Sequence, residues 1–235
     1  MSGYRTTLSL LAFASVCLAT ADSLPKSVSS DVRNALMKAE MAIAEGDYEL
    51  ALALYEGSLY PTGITFAIDR SSLYADTDWQ ANAVYLALAT WFKALDGDFP
   101  VNFVDGMEDA DMVLSFVDEI DVAGPDPLGL IRLRKRYRWN DVRHEVSFDG
   151  TIQIVRQASG GRMTDAETVD VVMHELGHLL GLADVSRAGY LMGPMNRGEP
   201  IERPTDREVE DVRELRALLR QRIEDVKALA LAAGR

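Results

Sequence analysis

The chain has 235 residues, 48% of them hydrophobic, and a formal net charge of −13, with three histidines and a single cysteine. Such an acidic balance argues against nucleic acid or an anionic membrane surface as the main partner. One cysteine, Cys17, excludes a disulfide framework and a multi-thiolate metal site.

Met1 to Thr7, with Arg5 as the one basic residue, precede an apolar run from Leu8 to Leu18 and the small-x-small triplet Ala19-Thr20-Ala21. This is the pattern of a cleavable secretory signal over residues 1–21, too short to span a membrane. The alternatives are an uncleaved anchor or a lipid on Cys17, and Val16 ahead of that cysteine matches a lipoprotein site poorly. The expected location is therefore extracytoplasmic, secreted or periplasmic. No later segment reads as a transmembrane helix, so no integral membrane contact is expected.

Residues 22–61 read as a helical hairpin. Ser29 or Ser30 caps a helix to about Ala44, Gly46-Asp47 breaks it, and a second helix runs from Tyr48 to about Leu59. The second helix resembles half of a tetratricopeptide repeat, but no second copy follows it. Two roles stay open for this hairpin: packing on the domain that follows, or acting as a pro-segment over a cleft.

Ile64, Phe66 and Ile68 alternate as a strand, and Thr77 with Gln80 forms a capping box for an Ala-rich helix to Leu95. Short strands are expected at Val101–Val104 and Met112–Phe116, with a loop at Gly124-Pro125-Asp126-Pro127. From Ile131 to Trp139 the chain alternates strictly, with Ile131, Leu133, Lys135, Tyr137 and Trp139 on one face and Arg132, Arg134, Arg136 and Arg138 on the other. The arginine stripe reads either as a solvated edge that discourages strand-to-strand aggregation or as a rim that attracts acidic substrate segments. Asp149-Gly150 carries the strongest hairpin signal of the chain, and His144 just before it reads as a structural histidine.

Thr164 and Glu167 form a second capping box, starting a helix near Asp165 that carries His174-Glu175-Leu176-Gly177-His178. With about 100° per residue, His174 and His178 leave one face one turn apart, and Glu175 lies beside them. Two neutral imidazoles so placed are a bidentate zinc site, and the neighbouring carboxylate reaches a water on the ion without binding the ion itself. Gly181 suits the left-handed residue that ends the helix. A sharp turn there swings Asp184 back as a third ligand, leaving one position for water, as in catalytic rather than structural zinc.

The motif H-E-x-x-H-x-x-G-x-x-D over 174–184 resembles that of the metzincin zinc peptidases and, among them, the matrixins. Leu191-Met192-Gly193-Pro194-Met195 resembles the family's Met-turn, with Met192 as the apolar floor under the zinc. The resemblance covers roughly residues 62–200 and implies an α+β metzincin-like catalytic domain: a twisted, mostly parallel sheet with two long helices and a zinc cleft. It further implies a metalloendopeptidase acting on peptide or protein substrates, expected as a monomer, with Zn²⁺ on His174, His178 and Asp184 and Glu175 as general base. Aspartate stands where matrixins carry a third histidine, Asn196 stands where they place an aromatic, and their pro-segment cysteine and second-zinc histidine cluster are missing.

Beyond the Met-turn, Thr205 to Glu208 cap a long helix within residues 201–235, whose buried stripe includes Val212, Leu215, Leu219, Ile223 and Val226. Two rival readings remain. A thermolysin-like peptidase would take Glu199 or Glu202 as third ligand. An exported helical binding protein would hold a metal without catalysis.

Overall fold

The computed structural model describes residues 24–60, 63–74, 78–122, 127–158 and 161–234. The expected signal segment, Thr77 and most of the 124–127 loop lie outside them. Helix α1 (Ser30–Glu45) starts where the Ser29 hydroxyl accepts from the Val32 N–H, and it ends at Gly46 with φ 78°. Asp47 caps α2 (Tyr48–Leu59) through the Leu50 N–H. Strand β1 (Ile64–Ile68), helix α3 (Trp79–Ala94) and strand β2 (Val101–Phe103) follow, β1 and β2 lying parallel, so α3 is the crossover that parallel pairing requires. At the start of α3 the Gln80 side chain does not cap the helix. Its oxygen accepts from the Tyr74 N–H at 2.7 Å, and Asp78 at the cap position makes no side-chain capping bond.

Strands β3 (Met112–Val117), β4 (Gly129–Trp139) and β5 (His144–Val155) complete a five-stranded sheet in the order β2-β1-β3-β5-β4. All neighbours are parallel except β4, which runs antiparallel to β5 and forms an edge. A two-stranded ribbon of β6 (Gln157–Ala158) and β7 (Gly161–Arg162) leads into α4 (Asp165–Leu179), and α5 (Asp206–Ala232) closes the chain. Among the described residues no helix is long and apolar enough to cross a membrane.

Alternation on β3 buries Met112, Leu114 and Phe116 in one core with Trp91 of α3 and Val172, Met173 and Leu176 of α4. Trp91 is wholly buried and donates its indole N–H to the Met173 carbonyl at 2.9 Å, fixing α4 against α3. A second core joins Leu36, Ala39 and Tyr55 of the N-terminal helices to Leu215, Leu219, Ile223 and Val226 of α5. Since Val212 belongs to the first core, α5 spans both.

The hairpin between β4 and β5 turns at residues 140–143, not at Asp149-Gly150 as the sequence suggests. The Asn140 side chain accepts from the Val142 and Arg143 N–H groups, an Asx turn made without glycine. Gly150 instead lies inside β5, paired to Leu133 on one side and Met112 on the other. A Cβ there would stand 2.5 Å from the Met112 sulfur and 2.7 Å from the Arg132 carbonyl, so the glycine serves close strand approach. The arginine stripe is solvent-exposed, with Arg136 on Asp149 at 2.7 Å and Arg138 only 3.9 Å from Glu145. Exposed pairs of this kind add little stability, which agrees with the solvated-edge reading.

The base of the same hairpin turn grips α2. His144 places Nδ1 2.7 Å from Glu49 and Nε2 2.9 Å from Glu56, while the Trp139 indole donates to Asp47. Burial by itself lowers the pKa of His144, but its bonds to the two glutamates outweigh that and raise it above the ordinary 6.5. The stabilisation is therefore complete below about pH 6.5 and is lost as pH rises through the raised value. Thermal melts of His144→Gln against the parent should show a deficit of about 1–3 kcal/mol at pH 6, shrinking at pH 9. An equal deficit at both values would contradict the charged bridge.

Candidate metal centre

Helix α4 begins with a complete capping box: the Thr164 hydroxyl accepts from the Glu167 N–H, and the Glu167 carboxylate accepts from the Thr164 N–H. From that fixed start, His174 and His178 fall one turn apart, with ring centroids separated by 4.9 Å and planes at 85°. His174 Nδ1 donates to the Leu191 carbonyl at 2.8 Å, and His178 Nδ1 donates to the Leu182 carbonyl at 3.0 Å. A carbonyl only accepts, so each Nδ1 carries the proton and each Nε2 keeps its lone pair for a metal.

The turn after His178 completes the set. Leu180 caps the helix and Gly181 follows with φ 95°, its N–H donating to the His178 carbonyl while the Leu182 N–H donates to the Gly177 carbonyl. This Schellman arrangement reverses the chain. A strand-like segment at the N-terminal end of the described chain clamps it: the Ser29 N–H bonds the Gly181 carbonyl, and the Ala183 N–H bonds the Ser27 carbonyl. Asp184 then returns with one carboxylate oxygen 3.1 Å from His174 Nε2 and 3.4 Å from His178 Nε2. Ligands about 2.0–2.1 Å from a tetrahedral zinc stand about 3.3 Å apart, so the donor types and spacing fit that ion. Among the described residues these three form the cluster able to hold a metal, with ligand atoms all within 4.8 Å of one another.

Charge effects at the cluster follow from these contacts. The bond from His174 holds the Asp184 carboxyl below its ordinary range, against its partial burial. Burial pulls His178 down, toward the neutral imidazole a metal requires. Burial pulls His174 down as well, but Asp184 and the Leu191 carbonyl bring it above its ordinary value. A proton and a metal ion compete for that same Nε2 lone pair.

Glu175 is buried beside this triad, its carboxylate near the Ile131 backbone N–H of β4. Burial pushes its pKa up to about 7, against the pull of His174. Gly129 at the start of β4 makes the approach possible, because a Cβ there would stand 2.5 Å from a Glu175 oxygen and 2.7 Å from Val171. Val171 is buried and packs here as well.

Met192 lies buried against Gly177, between the two histidines in sequence; a Cβ on Gly177 would stand 2.3 Å from its sulfur. Its N–H donates to Glu208, the capping glutamate of α5, and its carbonyl accepts from Val185. One cap thus starts α5 and holds the turn whose Leu191 carbonyl orients His174.

The five sequence-predicted site residues are therefore brought together, while His144 is bonded to α2 elsewhere. Glu199 pairs with Asn196 and Glu202 is solvent-exposed, and neither joins the cluster. Sequence reasoning missed Gly129, the Ile131 N–H, and the cleft walls. A cleft of about 520 Å³ runs from the histidines along β4, walled by Val32, Ser58 and Tyr60 of the N-terminal hairpin. An isolated glycine opening an alternating run was the one available signal for Gly129.

A family model described as Matrixin matches residues 59–219. A search of curated proteins found no match. Zinc titration against a competing chelator should show that Asp184→Ala weakens binding by more than about 100-fold, whereas Asp184→His keeps it near the parent value. Unchanged affinity in Asp184→Ala would remove this residue from the site.

Proposed function

The chain belongs to the matrixin family of zinc metallopeptidases, and from that premise we propose that it is an extracytoplasmic endopeptidase whose zinc sits on His174, His178 and Asp184. The observation that carries this reading is the convergence of two Nε2 lone pairs and one carboxylate oxygen, with the buried Glu175 next to them and, among the described residues, no fourth His, Cys, Asp or Glu in the cluster. A structural site would close its coordination with protein, and it would have no use for a carboxylate held beside it. Export is supported by the apolar Leu8–Leu18 run and the Ala19-Thr20-Ala21 triplet.

Zinc, when bound, supplies Lewis acidity, lowering the pKa of a water and polarising a peptide carbonyl. Glu175 takes a proton from the attacking water as its oxygen bonds the carbonyl carbon, then delivers that proton to the amine nitrogen as the C–N bond breaks. The nearby Ile131 N–H favours the ionised carboxylate, against the burial that raises its pKa. The free edge of β4 lies along the cleft, where an extended peptide can add as a further strand and present its backbone to Glu175. The Nδ1 bonds to Leu191 and Leu182 stop both imidazoles from rotating.

A chelator-sensitive peptide digestion run on the parent and on Glu175→Ala tests the reading. The variant should retain zinc and lose about 10²–10⁴-fold or more in kcat/KM. Gly129→Ala should also keep zinc while losing at least about tenfold in kcat, because it displaces the base without touching a ligand. A zinc-loaded parent that cleaves no peptide would favour a non-catalytic binding protein. Full activity in Glu175→Ala would remove that residue from the chemistry.

A further inference from the structure

Lys135 is the one cation on the cleft-facing side of β4, in register with Ile131 and Leu133, while the four arginines that alternate with it point to the opposite face. Its side chain is only partly exposed, and its Nζ stands 5.3 Å from the centroid of the Tyr60 ring. It forms no ion pair with any described carboxylate. The acid that influences it most is Asp31, which lines the same cleft. Partial burial lowers its pKa to about 8, against the pull of Asp31.

Partly withdrawing an ammonium from water beside no carboxylate is unfavourable, and an apolar side chain would continue this face of the strand at no such cost. Tyr60 offers a partial return through its ring, and it does so from a strained position. It ends α2 in the left-handed region at φ 53°, uncommon for a bulky residue, and is buried against Phe148 with ring centroids 4.8 Å apart. The cation, the ring and the strained cap all converge on the wall of the cavity that contains His174 and Glu175.

We propose that Lys135 is a specificity-determining residue of this cleft, its ammonium receiving a carboxylate group of an extended substrate beside the Tyr60 ring. The position follows from strand geometry. Lys135 lies four residues beyond Ile131, whose N–H meets Glu175, and four residues of strand span about 13 Å. A substrate strand alongside β4 advances at the same rate, so the carboxylate falls about three to four residues from the bond being cut. Two sources share this chemistry: an aspartate or glutamate side chain, and the substrate's own C-terminus. The assignment rests on the peptidase reading for its substrate, but it is measurable without turnover.

Peptide binding to zinc-loaded Glu175→Ala full-length protein, read by fluorescence anisotropy, isolates the subsite from catalysis. Amidated decapeptides with glutamate or glutamine walked through every position should show glutamate binding about tenfold tighter at one position. In the same background, adding Lys135→Met should abolish that preference while neutral peptides bind as before, Lys135→Glu should reverse it toward lysine-containing peptides, and Asp31→Asn should strengthen it. If only peptides with a free C-terminus gain, the carboxylate is the chain end and the subsite stands. An unchanged carboxylate preference in Lys135→Met, or no gain in any background from glutamate in the amidated peptides or from the free C-terminus of their free-acid forms, overturns the proposal. Cleavage by the parent that does not depend on Lys135 would leave the peptidase reading intact and remove the subsite. Lys135-dependent binding by a protein that cleaves nothing would do the opposite.

Discussion

One backbone reversal sets the geometry of the whole centre: the left-handed turn at Gly181. It ends α4 one residue after the second histidine, delivers the Leu182 carbonyl to His178 Nδ1, and sends Asp184 back beneath both imidazoles. A side chain at Gly181 would meet the left-handed backbone penalty, and its Cβ would stand 2.8 Å from Leu215 and 3.3 Å from Val32. Those two neighbours belong to α5 and α1, so the turn is seated where the N- and C-terminal helices meet. Helix α4 supplies the histidines, and the packing of the terminal helices fixes the loop that carries Asp184.

This arrangement gives the helices outside the sheet a direct part in the site. The N-terminal segment bonds both sides of the Gly181 turn before entering α1, and α2 ends at Tyr60 in the cleft wall. At the other end of the chain, Glu208 caps α5 and at the same time accepts from the Met192 N–H. Burying the apolar stripe of α5 against α1 and α2 therefore positions two loops, one bearing Asp184 and one bearing the Leu191 carbonyl. Hydrophobic burial of this kind is non-directional, and the hydrogen bonds at Gly181 and Met192 turn it into a defined geometry.

Much of this was legible in the sequence because it depends on local rules. Helical periodicity puts His174 and His178 on one face, the Thr164–Glu167 box fixes where that face begins, and glycine at 181 marks the reversal. The strands and both terminal helices were legible for the same reason, with alternation or a 3.6-residue stripe bounded by caps. What escaped depends on contacts between distant segments. Asp149-Gly150 has the composition of a tight turn, but the glycine answers a need for close approach between three strands that nothing nearby in sequence reveals. Asn140 makes the actual turn with its own side chain. Gly129 and the Ile131 N–H meet Glu175 only after the sheet edge has folded over α4, and His144 finds its two glutamates only when α2 lies across the hairpin. The arginines drew attention by number, while Lys135, the one cation on the cleft-facing side of β4, was hidden among apolar neighbours.

The most direct test of the account is a crystal structure of the zinc-loaded protein with data collected across the zinc absorption edge. The account predicts one strong anomalous peak within about 2.2 Å of His174 Nε2, His178 Nε2 and a single oxygen of Asp184, with the Gly181 turn unchanged. A peak bound by the two histidines and a different residue, with the Asp184 carboxylate turned out to solvent, would contradict it.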